Sequence, residues 1–427
     1  MADYVALSGN REEDAEAVTE RKARRPRIAS LDVFRGLTIA LMIFVDYAGS
    51  LVPFVAHSPW HGIQLADVVT PFFLFIVGIS ASLVYKETSN RIQTTQKAML
   101  RAVKLFLLGI LLQGGYFHGV NSLSYGINIE KIRWFGILQR IAVGYIVAAL
   151  CEIWLSNMPK RNAVRVDGFL RNYFLHWVIL VSLSGIYLGL LYGLYVPDWQ
   201  FQVEDATLTN IYSNSTYITN KVKCGVRGDL GPACNSAGMI DRYVVGIEHL
   251  YKKSAYRNLK TCQNSKARNF SDNSASWCQA PFDPEGLLGS LMAVVNCILG
   301  LQYGHVLVQL EDHKDRLIIW LQFSVSFISF GLFLHLIGDP LNKQLYTISY
   351  VFLTTGLAGL TFCALYYLVD VAIYRCLTFP LEWTGRHSLS IFILVASNIV
   401  VIIAQGFYWR DPKTNLVHWV ISLFVPQ

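Results

Sequence analysis

An arginine, an aspartate and a histidine recur at equal intervals near the start of this 427-residue chain: Arg35, Asp46 and His57, eleven residues apart each time. Eleven residues at 3.6 per turn return to within about 20° of one helix face. A continuous helix would therefore carry a cation at one end of a stripe, a carboxylate in the middle and an imidazole at the far end. Pro53 and Pro59 bend or end such a helix, so the Arg35–Asp46 end is the firmer part of the stripe. The setting gives the spacing its weight. Gly36 to Ala56 is an apolar run long enough to cross a bilayer. An ionisable group at bilayer depth costs roughly 2.5–3.5 kcal/mol on insertion scales, so it points to a reaction site or to a path for protons or solutes.

Other polar residues in apolar surroundings could join that chemistry. Asp67, in IQLADVVTPFF, follows His57 by ten residues across a short re-entry, which would let carboxylate and imidazole meet. It also opens a helix, where a carboxylate complements the dipole. Asp32 and Arg35 are three apart, the spacing of a local ion pair; Arg35 could equally hold an anionic ligand at the mouth of the span. Arg101 and Lys104 are cations near that same mouth, and Arg140, in GILQRIAVGY, suits a binding role or a salt bridge to a neighbouring span. His57 and His61 are four apart, but Pro59 lies between them and no third ligand is evident, so no metal is expected. His118, His176, His305, His313, His387 and His418 lie near span ends and read as interfacial or capping residues; His335 lies deeper and reads as packing. No glycine-rich nucleotide loop, H-E-x-x-H or fixed-period repeat occurs.

The elements that must position these groups are membrane helices. Apolar residues make up 53% of the chain and charged ones 15%, against about 25% in a soluble domain. The expected fold is all-α, a polytopic bundle of about nine full spans near 34–54, 66–85, 99–117, 134–155, 173–196, 285–309, 317–337, 345–370 and 386–405. The segments on one side of these spans hold 18 Lys and Arg, and the short segments on the other side hold 5. That bias puts the N-terminus in the cytosol. The net charge of +7 is thus topological and no sign of nucleic-acid binding. Residues 1–30 read as a disordered cytosolic tail and 31–427 as one membrane domain.

The same parity places a long loop, about 197–284, on the lumenal side. Two sequons, at Asn214 and Asn269, agree with that placement. So do Cys224, Cys234, Cys262 and Cys278, an even set that reads as two disulfides with three connectivities open. Cys151, Cys297, Cys363 and Cys376 read as small apolar residues. After Asn415 the remaining LVHWVISLFVPQ is too short to span, as if a last helix were missing.

The stretch RIASLDVFRGLTIALMIFVDYAG, continued by HSPWHGIQLADVVTPFFLFIVGIS, resembles the opening of the heparan-α-glucosaminide N-acetyltransferase family of multi-span membrane acetyltransferases. KIRWFGILQRIAVGY, GMIDRYVVGIEHLY, FDPEGLLGS and LNKQLYTISY follow in order, so the resemblance runs from about 27 to 400. It implies transfer of acetyl from cytosolic acetyl-CoA to a lumenal amino sugar or other amine. It also implies that His57 is the catalytic residue, and the spacing of the residues sets Asp46 and Asp67 beside it. Arg35, Arg101, Lys104 and Arg140 would hold the polyanionic acetyl-CoA. A neutral imidazole could carry the acetyl group or act as base on the amine. The form is that of a plant-like member, with Asp46 where the animal family member has an amide, without its large lumenal N-terminal segment or its final span. The lipid bilayer is the first partner, and a homo-oligomer is compatible. The membrane would be a vacuole- or lysosome-like endomembrane or the plasma membrane. The rival readings are a small-solute transporter and an inactive family member.

Overall fold

Long apolar stretches, interrupted at prolines, glycines and charged turns, set the helices of this protein. A computed structural model describes residues 28–49, 54–86, 90–113, 132–155, 173–204, 217–251, 255–263 and 276–397. The expected tail up to residue 27, both sequons, His118, His418 and the segment after 397 lie outside the described residues. In chain order the helices are α1 (Ala29–Ala48), α2 (Leu65–Tyr85), α3 (Arg91–Gln113), α4 (Ile137–Leu155) and α5 (Phe174–Gly193). The strands β1 (Trp199–Glu204) and β2 (Tyr217–Val222) follow, then α6 (Ser236–Val244) and the single turn α7 (Lys260–Gln263). The chain continues with α8 (Leu287–Gln309), α9 (His313–Ile337), α10 (Ile348–Tyr366), α11 (Arg375–Arg386) and α12 (Ser388–Ala396).

Six of these segments are long and apolar enough to cross a membrane: α2, α4, α5, α8, α9 and α10 with its extension to Val371. The protein is therefore a multi-pass membrane protein, but among the described residues six such spans stand where nine were expected. The other three have physical reasons to differ. Helix α1 carries Asp32, Arg35 and Asp46 within its 20 residues, and α3 carries Arg91, Lys97, Arg101 and Lys104. Helix α12 is described for only nine residues.

Helix α8 is the axis of the bundle and is buried along almost all its length. It meets α2 at backbone distance: a Cβ on Gly78 would lie 2.1 Å from the Cys297 carbonyl oxygen, and one on Gly300 would lie 2.3 Å from that of Phe75. Small residues at a crossing are how membrane helices gain van der Waals contact when lipid is as apolar as the core. A second close crossing joins α1 to α11, where a Cβ on Gly36 would meet the Leu381 oxygen at 1.8 Å and one on Gly385 the Asp32 oxygen at 1.7 Å. Helices α5 and α9 are peripheral. On α9 only Trp320, Ser324, Phe327 and Gly331 are buried, a single inward stripe. The rest of both helices presents apolar side chains such as Val181, Ile186, Leu321 and Phe333 to the surroundings, as lipid-facing helices do.

The bundle has two faces. One, the N-terminal face, holds the start of α1, the end of α2 and the end of α8. The other, the loop face, is built from segments 54–64 and 132–136, the described parts of 194–286, and segment 338–347. Trp60 ties its segment to the long loop, donating to the Leu230 carbonyl at 2.9 Å and packing edge-on against Phe282 and Tyr256. The loop departs from an all-α fold in one place, the antiparallel ribbon that pairs Trp199 with Val222 and Glu204 with Tyr217. Its four cysteines form Cys224–Cys234 and Cys262–Cys278, with Cα separations of 5.5 and 5.7 Å.

Candidate active site and a cavity on the opposite face

His57 does not continue the α1 stripe. The helix stops at Ala48, Gly49 closes it by donating to the Val45 carbonyl, and residues 54–64 are non-helical. The chain instead folds back onto the first turn of α2. There Asp67, wholly buried, is the residue around which the site is organised. Its Oδ2 accepts from the backbone N–H of Gln64 at 3.0 Å, a reach-back that fixes the helix start, and from that of Ser58 at 3.1 Å. Its Oδ1 lies 2.9 Å from His57 Nδ1 and 3.4 Å from Lys343 Nζ. Both roles foreseen for Asp67, helix start and neighbour of His57, are thus filled by one carboxylate.

The tautomer follows from this network. A carboxylate that accepts two backbone N–H groups is ionised, and its contact with a bare imidazole lone pair would be repulsive. With Asp67 as its partner Nδ1 carries the proton and Nε2 keeps its lone pair; the Lys343 ammonium, 2.9 Å from the same nitrogen, would call for a lone pair there, so this assignment takes the carboxylate contact as the governing one. The His57 side chain is 48% exposed while Asp67 is sealed beneath it, so the reactive edge faces outward and the orienting edge inward. This is the arrangement in which a buried carboxylate holds an imidazole in one tautomer and stabilises its protonated form.

Lys343 was not foreseen as a site residue, although LNKQLYTISY, the block that contains it, was singled out. Its Nζ lies 2.9 Å from His57 Nδ1, closing a triangle with Asp67. A tight turn presents it: Asn342 Oδ1 accepts from Leu345 N, and Thr347 N donates back to the Asn342 carbonyl. The turn is joined to the His57 segment by Gly62 N donating to the Leu341 carbonyl at 2.8 Å. Burial lowers the Lys343 pKa, and the Asp67 and Glu285 carboxylates oppose that shift. Tyr346 completes the turn at φ +59°, a left-handed conformation that is costly for a tyrosine. Its ring lies under the Arg140 guanidinium, 4.7 Å from its centroid.

Asp46 sits two residues from the end of α1, exposed, and close enough to interact electrostatically with His57 and Lys343. It belongs to the loop face and not to mid-span. His61, four residues on from His57, turns elsewhere: its Nδ1 lies 3.5 Å from Asn342 Nδ2, and burial together with His335 lowers its pKa. Arg140 also belongs to this face, because α4 starts here. It donates to the Pro284 carbonyl at 2.8 Å. Behind it Arg133 grips Asp283 through two nitrogens, at 2.8 and 2.5 Å, and bonds Glu285 as well. The start of α8 is fixed in turn by Leu287 N donating to Asp241.

Arg35 and Arg101 are brought together on the other face. They line a cavity of about 370 Å³ between α1, α2, α3, α4 and α12, with Ser80, Tyr85, Tyr145, Ser388 and apolar residues. Arg35 donates to Asp32 at 2.9 Å and to Ser80 Oγ at 2.5 Å, and Arg101 bonds the Tyr85 hydroxyl. Lys104 is exposed and outside this lining; Arg140 is outside it as well, although Leu138 and Ile141 on the same helix line it. Ser80 and Asp67 are thirteen residues apart on α2, so roughly 20 Å of helix separates the Arg35 end of the cavity from the imidazole, while the cavity wall begins at Phe73, about 9 Å along α2 from Asp67.

A family model described as "Heparan-alpha-glucosaminide N-acetyltransferase, catalytic" matches residues 27–171, the segment that holds His57, Asp67, Arg35 and Arg101. The human protein named heparan-alpha-glucosaminide N-acetyltransferase is 27% identical over 400 residues, 89% of this chain and 54% of its own length. The mouse protein of the same name is 27% identical over 394 residues, 87% of this chain and 54% of its own. The chain spans about half the length of the curated relatives it matches. Those matches run through both the buried carboxylate–imidazole pair and the arginine-lined cavity, so what the chain is similar to is the heparan-alpha-glucosaminide N-acetyltransferase family.

Proposed function

We propose that this protein is a transmembrane acetyltransferase that takes acetyl from acetyl-CoA at the N-terminal face and delivers it to an amino-sugar-like amine at the loop face. The single observation that carries the reading is the His57–Asp67 pair, an outward imidazole held in one tautomer by a sealed carboxylate. The cavity with Arg35 and Arg101 supports the donor end, since guanidinium groups suit phosphates. In this reading the N-terminal face is cytosolic, and α1, α3 and α12 complete a nine-span bundle with the long loop in the lumen.

The chemistry is acyl transfer from a thioester to an amine. Nε2 attacks the thioester carbonyl, the C–S bond breaks, and coenzyme A leaves as the thiol after taking a proton. The amine then attacks the acetyl-imidazole, the C–N bond to His57 breaks, and the amide leaves after giving its extra proton to Nε2, which balances the one coenzyme A took up. In the direct alternative Nε2 removes the amine proton while the amine attacks the thioester. In both, Asp67 stabilises the positive charge that builds on the ring, and the Lys343 ammonium balances the carboxylate when the ring is neutral.

The test uses membranes holding the full chain, acetyl-labelled acetyl-CoA and a panel of amino sugars. Labelled N-acetyl product is expected with wild type. His57→Ala should lower turnover by about 10²–10⁴-fold, the range for a lost general base, while binding of acetyl-CoA persists. His61→Ala serves as the neighbouring control and should have a modest effect. An H57A protein that acetylates at the wild-type rate would remove this mechanism.

A further inference from the structure

Three buried side chains at the N-terminal face have no part in the chemistry above. Glu152 lies near the end of α4, His176 near the start of α5 and His305 near the end of α8. From sequence the two histidines read singly as span-end caps and Glu152 drew no reading, because no local motif joins positions so far apart in the chain. The fold brings them into one cluster in which one ligand atom from each lies within 4.8 Å of the others. His305 Nε2 is 2.6 Å from a Glu152 carboxylate oxygen, and both side chains are 1% exposed. His176 is wholly buried.

A carboxylate–imidazole hydrogen bond accounts for two of the three groups and leaves the third without a reason. Neither ring nitrogen of His176 has a hydrogen-bond partner; the Cys151 backbone influences the ring without reaching hydrogen-bond geometry. An imidazole sealed from water with both nitrogens unmatched is rare, because its desolvation is uncompensated. The ring is aimed at the pair, its centroid 5.5 Å from that of His305. His305 is itself clamped: Tyr173 stacks on it at 3.7 Å with an 8° tilt, and Gln309 donates to the Tyr173 hydroxyl at 2.6 Å.

Two imidazoles and one carboxylate, converging from three different helices, are a ligand set for a divalent ion with nitrogen and oxygen preference. A zinc ion with bonds of about 2.0–2.1 Å sets its ligand atoms roughly 3.3 Å apart. Reaching that geometry requires the Glu152–His305 contact to open slightly and His176 to close on it. We propose that Glu152, His176 and His305 bind one divalent transition-metal ion of the zinc type, which ties the peripheral helix α5 to α4 and α8 at the N-terminal face. The fourth position is left to water or another small ligand. The ion is structural, far from His57, and the proposal does not depend on the acetyl-transfer reading.

The test is a metal count on the full chain in detergent, stripped with a chelator, re-equilibrated with zinc and freed of excess by gel filtration. One zinc per chain is expected in wild type and none above the buffer blank in a His176→Gln/His305→Gln double variant. A His313→Gln control, whose ring only bonds Tyr366, should keep its zinc. Because the double variant could fail to fold, cobalt is added to wild type in parallel. Visible bands of a low-symmetry nitrogen–oxygen site should appear and disappear on adding zinc. Wild type that holds no zinc above blank, a well-folded double variant that keeps one, or a cobalt spectrum no different from the free ion would each overturn the proposal.

Discussion

On the loop face the Asp67 carboxylate is met by two backbone N–H groups, an imidazole and an ammonium, and Arg133 is gripped by two carboxylates. On the N-terminal face Arg35 shares its charge with Asp32 and a serine, and Arg101 with a tyrosine, beside about 370 Å³ of open volume. The first pattern suits a group whose orientation must not change, since each added bond removes a freedom the ring could otherwise use. The second suits a ligand that must enter and leave, since its charges are only half committed. A fixed centre at one end and an accommodating one at the other is the division that transfer across a membrane requires. It also separates geometry from affinity, so the two should fail differently when mutated.

The largest effect should come from the centre of the fixed end. Asp67→Asn keeps the shape but cannot stabilise a protonated ring or enforce the Nδ1–H tautomer. Turnover should fall by up to about 10⁴-fold, the loss seen when a catalytic triad loses its carboxylate. The KM for acetyl-CoA should stay near wild type in the same steady-state assay. A variant that loses donor affinity and keeps turnover would erase the contrast between the two faces.

Next in size is a stability effect that belongs to the loop face alone. Burial pushes the Asp241 pKa up to about 7 from an ordinary 3.8, against the opposing pull of the Leu287 N–H and nearby arginines. The folded state thus holds a proton that the unfolded chain gives up above pH 4. The associated stability is full below about pH 4 and is lost as pH rises through 7, an effect of about 2–4 kcal/mol. Thermal unfolding should show a higher midpoint at pH 5 than at pH 8 in wild type. Asp241→Asn should flatten that slope. An unchanged slope would assign the pH response to other groups.

The accommodating end should yield the smallest effects. Arg35→Ala and Arg101→Ala should each raise the KM for acetyl-CoA by about tenfold, the worth of roughly 1.4 kcal/mol of charge-assisted binding. Turnover at saturation should hardly change. Lys104→Ala, outside the cavity, should alter neither constant. Equal losses for Lys104 and Arg35 would mean that the donor is held at the surface and not in the cavity.

How much of this was legible depended on how local each signal was. Asp67 could be read because helix start and His57 are ten residues apart, and the disulfide loop because cysteine number and charge parity agree. Asp46 and His57 were assigned to one stripe by a periodicity that holds only on a continuous helix, and Gly49 ends that helix. Arg140 was grouped with the donor cations because apolar context alone does not tell which end of a span a residue occupies. Its helix starts at Ile137, which sends it to the loop face. Lys343 stands 286 residues from His57, and Glu152 stands 153 from His305. Nothing in composition or spacing connects such pairs, because only the closure of the bundle makes them neighbours. Nine spans were counted from hydropathy, while the structure shows that charge within α1 and α3 sets those two apart from the plainly apolar six.

The crossing of α1 with α11 has a further consequence for the cavity beside it. The two backbones touch at Gly36 and Gly385, one residue from Arg35 and a short step from Ser388 on the cavity wall. Separation of the walls there is fixed by main chain against main chain, a rigid stop with no side chain to yield. The spacing of the two backbones there is therefore a property of two absent side chains, and the lining could be exchanged residue by residue without altering that spacing. A single methyl group at either glycine would act as a wedge, widening the cavity while leaving the chemistry of its wall untouched.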